Sequence, residues 1–424
     1  MARLPSRRET EMRRSILLGL LWSMLCWRTM PLAAHEAQTY FETGVRAFTE
    51  AKYDEAVKAL AQAIASYPSY AQAYYMLGNT YYQQQDYEPA RQAFERAIAS
   101  YPGYAEAHYM LGATLYQHKE FRTAEQAIRQ ALTIYPRYEE AYELLATLAE
   151  RQEAMPQALE AYRQVLALNP NNLEVRLRLG IALERVDQLA EAKQAYKQII
   201  AQQPQHVDAL FRLGILAERQ KQPQEAMEAY RAIVTQQPDH VEAQYRLAVL
   251  YDTQGETTQA MTAYTRVLTL QPTHADAALY LGILQAQQGE DAAAERSYKQ
   301  ALEVRSDLTE AQYHLALLYK KQHKLQQAVD TLKQVVERQP KYAEARYNLG
   351  VMYAGLKQYR PAVEEFEAAI TVRPDFREAH YSLGVCYEFY VPDIPKALEH
   401  YRTFLALGGS DTRVQQLIEH SKRR

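Results

Sequence analysis

The 424-residue chain has little cysteine, glycine or proline: 2, 15 and 17 residues respectively. Two cysteines give at most one disulfide, so a cystine-stapled scaffold is excluded. Few glycines and prolines, and no low-complexity run, exclude a fibrous or disordered chain. A formal net charge of −3 argues against nucleic acid as a partner. No phosphate loop, HExxH pair, nucleophile elbow or glycine-rich dinucleotide fingerprint occurs anywhere, and the expectation is a protein without catalytic residues, cofactor or metal. What is plentiful is alanine and tyrosine, with apolar residues at 48%.

The N-terminus differs from the rest. Arg13 and Arg14 precede the apolar run 15–27, and Ala33 and Ala34 close the segment. A basic start, a short apolar stretch and small residues predict a secretory signal peptide over 1–34, with Met1 or Met12 as start. Thirteen residues rise only ~20 Å as a helix, short of a ~30 Å hydrocarbon core. An anchor at 15–27 is therefore the second reading, and the only route to a membrane. Without residues 1–34 the chain keeps 42 basic and 49 acidic residues and one cysteine, Cys386. The expected location is periplasmic or envelope-associated.

The remainder repeats. Residues 64–78, IASYPSYAQAYYMLG, return as IASYPGYAEAHYMLG at 98–112, an offset of 34. From Ala37, ten units of 34 run to Phe376, followed by a variant eleventh with one extra residue in EFYVPDIPKA. Within residues 71–104, Tyr74, Leu77, Gly78 and Tyr81 mark one face of a first helix, and Ala90, Phe94, Ala97 and Ile98 a face of a second. Pro102 ends the second. Glycine recurs at 44, 78, 112, 180, 214, 282, 350 and 384, although each costs roughly 1 kcal/mol relative to alanine inside a helix. Close helix packing is the expected return.

The unit AQAYYMLGNTYYQQQDYEPARQAFERAIASYPGY resembles the tetratricopeptide repeat, with Tyr74, Leu77-Gly78, Tyr81, Ala90, Phe94, Ala97 and Pro102 at the characteristic places. The departures are Arg176, Gln244, Ala278 and Arg346 at the fourth position, and Ser306 in place of a proline. The resemblance covers residues 35–410 as eleven repeats, with 411–424 read as a capping helix. It implies an all-α, right-handed superhelical solenoid of helical hairpins whose first helices line a concave groove, and protein or peptide partners. An assembly or transport role for an envelope polymer, such as an exopolysaccharide, or for a secretion or pilus machine, is the alternative.

Candidate groove residues follow from spacing. Phe41/Phe48, Tyr75/Tyr82 and Tyr109/Tyr116 stand seven apart on first helices, and seven residues is two turns. In later repeats Arg178/Arg185, Arg212/Arg219 and Arg246 are expected to take over that face. Aromatic residues and arginine are the types enriched in binding hot spots. Glu174, Asp208 and Glu242, four residues before three of these arginines, offer intrahelical pairing instead. Of the lysine and asparagine that the chaperone-binding clamp of some tetratricopeptide domains places at the fifth and ninth positions, only Asn79 is present. The asparagine ladder of the glycosyltransferases with this repeat is missing. His206, His240 and His274 recur at the repeat period, too far apart to share a metal, and are expected to be turn residues in left-handed backbone.

Overall fold

The computed structural model describes residues 32–421, and among them every regular element is an α-helix. The expected leader lies outside the described residues except for Leu32–Ala34, which open the helix Leu32–Thr49. No described helix is long and apolar enough to cross a membrane.

From Ala71 to Val372 each repeat is a first helix of 13 residues and a second of 14, as in Ala71–Gln83 with Tyr87–Ser100, and in the last hairpin the second helix, Ile394–Ala406, has 13. The pattern divides into two compact units, residues 1–204 and 205–424. In each, apolar side chains on one stripe of both helices bury against the hairpin partner and the next hairpin, so the core runs the length of the unit. First helices of neighbouring repeats touch, Ala71–Gln83 against Ala105–Gln117 in the first unit and Ala275–Gln287 against Thr309–Lys321 in the second. Second helices do not approach one another as closely, so the first helices form the tighter layer.

The glycine column has the expected steric cause, with a specific partner. A Cβ on Gly350 would stand 2.7 Å from the Phe366 ring, and one on Gly214 2.6 Å from Tyr230. The second helix drives a large side chain into the gap that glycine leaves. Tyr196, Tyr230 and Tyr298 fill it opposite glycine, Tyr162 and Tyr264 take the same place in repeats where the column holds Ala146 and Ala248, and all five are almost completely buried.

The departures at the fourth position also have a cause. Arg346 Nε donates to the Pro340 carbonyl at 2.7 Å, Gln244 to that of Pro238 at 3.3 Å and Gln312 to that of Ser306 at 3.1 Å. Long polar side chains here satisfy a carbonyl that the end of the preceding helix leaves open.

The turn inside each of the first ten hairpins holds one residue in left-handed backbone. Gln85 (φ 65°), Lys119 (63°), Glu153 (58°) and Lys221 (55°) occupy it, and only Gly255 and Gly289 meet it with glycine. The turn between hairpins contains no such residue. His206, His240 and His274 have φ of −75°, −74° and −85°, contrary to the left-handed expectation. They are helix N-caps. The Nδ1 atom of His240 accepts from the Ala243 amide at 3.2 Å, as Asn172 Oδ1 accepts from Val175 at 3.1 Å.

At the C-terminus the helix Thr412–Ser421 buries Val414 and Ile418 against the last hairpin. Cys386 is buried beside Leu383 and Tyr387, and burial pushes its thiol up to about 11.

Candidate protein-binding face

The first helices present two side-chain columns along this face, at positions two and nine. Position two is acidic in most repeats: in the second unit it holds Asp208, Glu242, Asp276, Glu310, Glu344 and Glu378, all exposed or half-buried. Position nine, two turns further on, holds Ile215, Val249, Ile283, Leu317, Val351 and Val385, each half-buried. An apolar row half open to water, bordered by carboxylates, therefore runs along this face of the second unit. The acids have a local role as well, since a carboxylate in the first helical turn offsets the macrodipole by ~0.3–1 kcal/mol.

The fifth-position aromatics build the seam between repeats. Phe41 lies 5.1 Å from Tyr70, Tyr75 4.9 Å from Tyr104 and Tyr109 5.0 Å from Tyr138, ring centre to ring centre. In each pair a first helix meets the residue that precedes the next first helix. The second unit repeats this with Tyr245 on His274 at 4.5 Å, Tyr313 on Tyr342 at 5.0 Å and Tyr347 on Phe376 at 4.9 Å. At one junction the rings are replaced by polar groups, where Asn172 Nδ2 donates to Glu139 and Glu143, both at 3.0 Å. Burial pushes the Tyr75 phenol up to about 12, against a hydrogen bond from Asn79 and with the Glu106 carboxylate adding to the rise.

The other candidates spread further. Phe48 and Asn79 are buried, Phe48 in the core beside Leu60. Tyr82 and Tyr116 are half-exposed and lean on Tyr87 and Phe121, 5.6 and 5.7 Å away, at the start of the second helices.

The arginines stand on a different face. Tyr75 and Tyr82 occupy positions five and twelve, whereas Arg178 and Arg185 occupy six and thirteen, a rotation of roughly 100°. The expectation of one face changing from aromatic to basic is corrected by that register. Arg178 Nη2 lies 2.6 Å from Glu174, and Arg185 Nη1 3.8 Å from Glu150. Arg246 takes Glu218 at 3.0 Å and Glu242 at 2.9 Å, with its guanidinium 5.9 Å from the Phe211 ring centre. Arg212 is half-buried and Arg219 is exposed. At position twelve, in line with Tyr82 and Tyr116, later repeats place Glu150, Glu184 and Glu218. From Glu150 to Asp252 that column is acidic, before Ala286, Lys320 and Ala354 follow.

Among the described residues no group of three or more His, Cys, Asp or Glu side chains is placed to hold a metal ion.

Tandem helical hairpins with this residue pattern define a helical-repeat protein. The tetratricopeptide repeat pattern matches residues 41–105, 75–139, 109–173, 177–241, 228–274 and 245–307, and a second pattern of the same repeat matches 319–386. These matches cover well over half of the chain, which belongs to the tetratricopeptide repeat family. No curated protein matches it. Among solved structures it is similar to MamA, at 26% identity over 38% of this chain and 94% of that one, with a TM-score of 0.37. It is also similar to YrrB, described as a TPR protein with an unusual peptide-binding site, at 24% identity over 44% of this chain and 96% of that one (TM-score 0.40). Naa15/Naa10 bound to HypK-THB matches at 15% identity over 87% of this chain and 68% of that one (TM-score 0.45).

Proposed function

We propose that the chain is a non-catalytic scaffold that binds proteins or peptides along its first-helix face, and that residues 1–34 export it to the cell envelope. The observation that carries the binding reading is the half-open row Ile215, Val249, Ile283, Leu317, Val351 and Val385. Each branched side chain fully removed from water contributes ~1.5–3 kcal/mol, and the fold leaves part of that gain unused in six successive repeats. The acidic residues two turns away give such a partner a polar border.

Export rests on the order of basic, apolar and small residues over 13–34. Cleavage near His35 would remove the opening turn of the first helix and leave Ala37 and the core beyond it in place.

The test is site-specific photocrosslinking in cells. A photoreactive residue replacing Leu317 should capture a partner, whereas one replacing Arg296, exposed on a second helix, should not. Equal capture at both sites, or at neither, would remove the reading. A polysaccharide recovered in place of a protein would replace it with the polymer-handling alternative. Fractionation with N-terminal mass spectrometry checks export; an intact Met1 or Met12 start in a soluble cytosolic pool would refute it.

A further inference from the structure

Because the repeats share one geometry, a side chain at a given position in one repeat shows what the same place holds in another. Position thirty-one ends each second helix in extended backbone, with φ of −143° at Tyr101 and −132° at Arg373. In the later repeats this position holds Asn, Gln or Arg, so the turn does not require an aromatic ring. In the first three repeats it is nevertheless Tyr67, Tyr101 and Tyr135, which are 44%, 56% and 51% exposed. Each leans on the seam ring three residues later, Tyr67 on Tyr70 at 6.0 Å, Tyr101 on Tyr104 at 5.9 Å and Tyr135 on Tyr138 at 5.7 Å. Three water-exposed phenols that the fold does not need form an aromatic edge.

The second unit shows what this place accommodates. The Arg373 guanidinium lies 3.5 Å from the centre of the Phe376 ring, and Arg373 Nη1 is 2.6 Å from Glu344 Oε1. Arg305 pairs with Asp276 at the same two positions of its own repeat. At Arg373 a ring at position thirty-four and a carboxylate at position two form a seat for the guanidinium, both attracting the cation, whereas at Arg305 position thirty-four is Leu308 and the carboxylate alone holds it. In the repeat 105–138 the ring is Tyr138 and the carboxylate is Glu106, but position thirty-one holds a tyrosine. Glu106 is exposed, and among the described residues no cation pairs with it. Glu140 carries the same charge one repeat on. Of the turn residues Ser69, Gly103 and Arg137, only the last is basic.

We propose that the edge formed by Tyr101, Tyr104, Tyr135, Tyr138, Glu106 and Glu140 binds arginine side chains from a basic, extended segment of a partner protein. It rests on the scaffold reading and names the partner's chemistry. In the repeat 105–138 the Tyr135 ring itself stands where Arg373 stands in its own repeat, so the partner's guanidinium stacks on the exposed face of Tyr135 and pairs with Glu106. Neighbouring junctions lie roughly 10 Å apart, a helix spacing. An extended chain rises ~3.3 Å per residue, so arginines about three residues apart match the edge.

Fluorescence anisotropy on the full chain tests this with three labelled peptides, five repeats each of Arg-Ser-Ser, Lys-Ser-Ser and Glu-Ser-Ser. The arginine peptide is expected to bind most tightly and the acidic one not at all, because a planar guanidinium stacks where an ammonium does not. The double change Tyr101→Gln and Tyr135→Gln installs the residue that Gln237 and Gln271 already supply elsewhere. It should weaken arginine-peptide binding about tenfold or more, as loss of two stacking contacts implies, with the melting temperature unchanged. Tyr135→Arg should fill the seat from within and weaken binding likewise. Arginine-peptide binding that is absent, or unaffected by both variants, would overturn the proposal. So would equal affinity for the lysine peptide, the mark of diffuse attraction to an acidic chain. Any of these results leaves the Leu317 crosslink, and with it the scaffold reading, to stand or fall separately.

Discussion

Arg413 Nη1 lies 2.6 Å from Glu388 Oε2, and Arg413 Nη2 lies 3.2 Å from the Tyr401 hydroxyl, which itself donates to Glu388 at 2.6 Å. Inside the second unit, Arg246 reaches back from the following repeat to Glu218, beside the buried Tyr230 phenol. The terminal helix thus supplies, at the open end of the array, the arginine that a further repeat would bring. Arg413→Ala leaves the largely buried Glu388 carboxylate without its cation and should cost ~1–3 kcal/mol. Hydrogen exchange should show the loss concentrated in Arg377–Phe389 and Ile394–Ala406.

The hairpin turns predict opposite effects of glycine. Gln85 holds φ at 65° with a side chain that disfavours it, so Gln85→Gly should raise stability, by up to ~1 kcal/mol. Gly289, at φ 79° with nothing near its missing Cβ, should lose a similar amount as Gly289→Ala through backbone strain alone. Chemical denaturation of the two variants against the parent measures both.

His240 caps a helix as Asn172 does. Replacing His240 by Asn should therefore leave the melting temperature nearly unchanged, whereas His240→Ala should cost ~1 kcal/mol, the usual value of an N-cap. A larger loss in the asparagine variant would show that the ring contact with Phe211, 5.5 Å away, outweighs the cap.

Burial pushes the His314 imidazole below its ordinary value of 6.5, partly offset by Glu310, while the ring stacks 6.0 Å from Tyr298. Burial also lowers His400, with His380 adding to the shift. The folded state holds both rings neutral, so their contribution is complete above the ordinary value and declines as pH falls through it. His314→Met, which installs the residue found at the same position in Met76 and Met110, should shrink the drop in melting temperature between pH 7.5 and 5.5. An unchanged drop would place the acid sensitivity elsewhere.

The fold was legible because the period is written in residues whose cost demands a reason, above all glycine inside helices at 78, 112, 214 and 350. The left-handed residue inside the hairpin turn has no such mark, because eight of these positions carry ordinary side chains in place of glycine. Half of the candidate face was legible. The fifth-position rings did stand out, but one-letter spacing could not show that they meet the residue before the next helix. That partner lies 29 residues on, and only the pairs Phe41–Tyr70, Tyr75–Tyr104 and Tyr109–Tyr138 taken together reveal it. The arginines were placed one residue out of register, and a step of one residue on a helix is a turn of about 100°. Position thirty-one carries no signal within a single repeat, since a tyrosine before a proline is ordinary turn filling and only its replacement by Asn, Gln and Arg in later repeats sets it apart.

The junction at Asn172 stands apart, because carboxamide and carboxylate groups join the repeats where rings or aliphatic side chains do so elsewhere. Such groups trade partners with water at little loss, whereas separating two rings exposes their faces outright. In a linear stack, cooperativity passes from hairpin to hairpin through nearest-neighbour interfaces, of which these pairs are part. Hydrogen exchange is accordingly expected to find the first unit opening first between the helices Glu139–Arg151 and Leu173–Arg185, and a bound segment that bridges this joint should slow that opening by tying two lengths of array together.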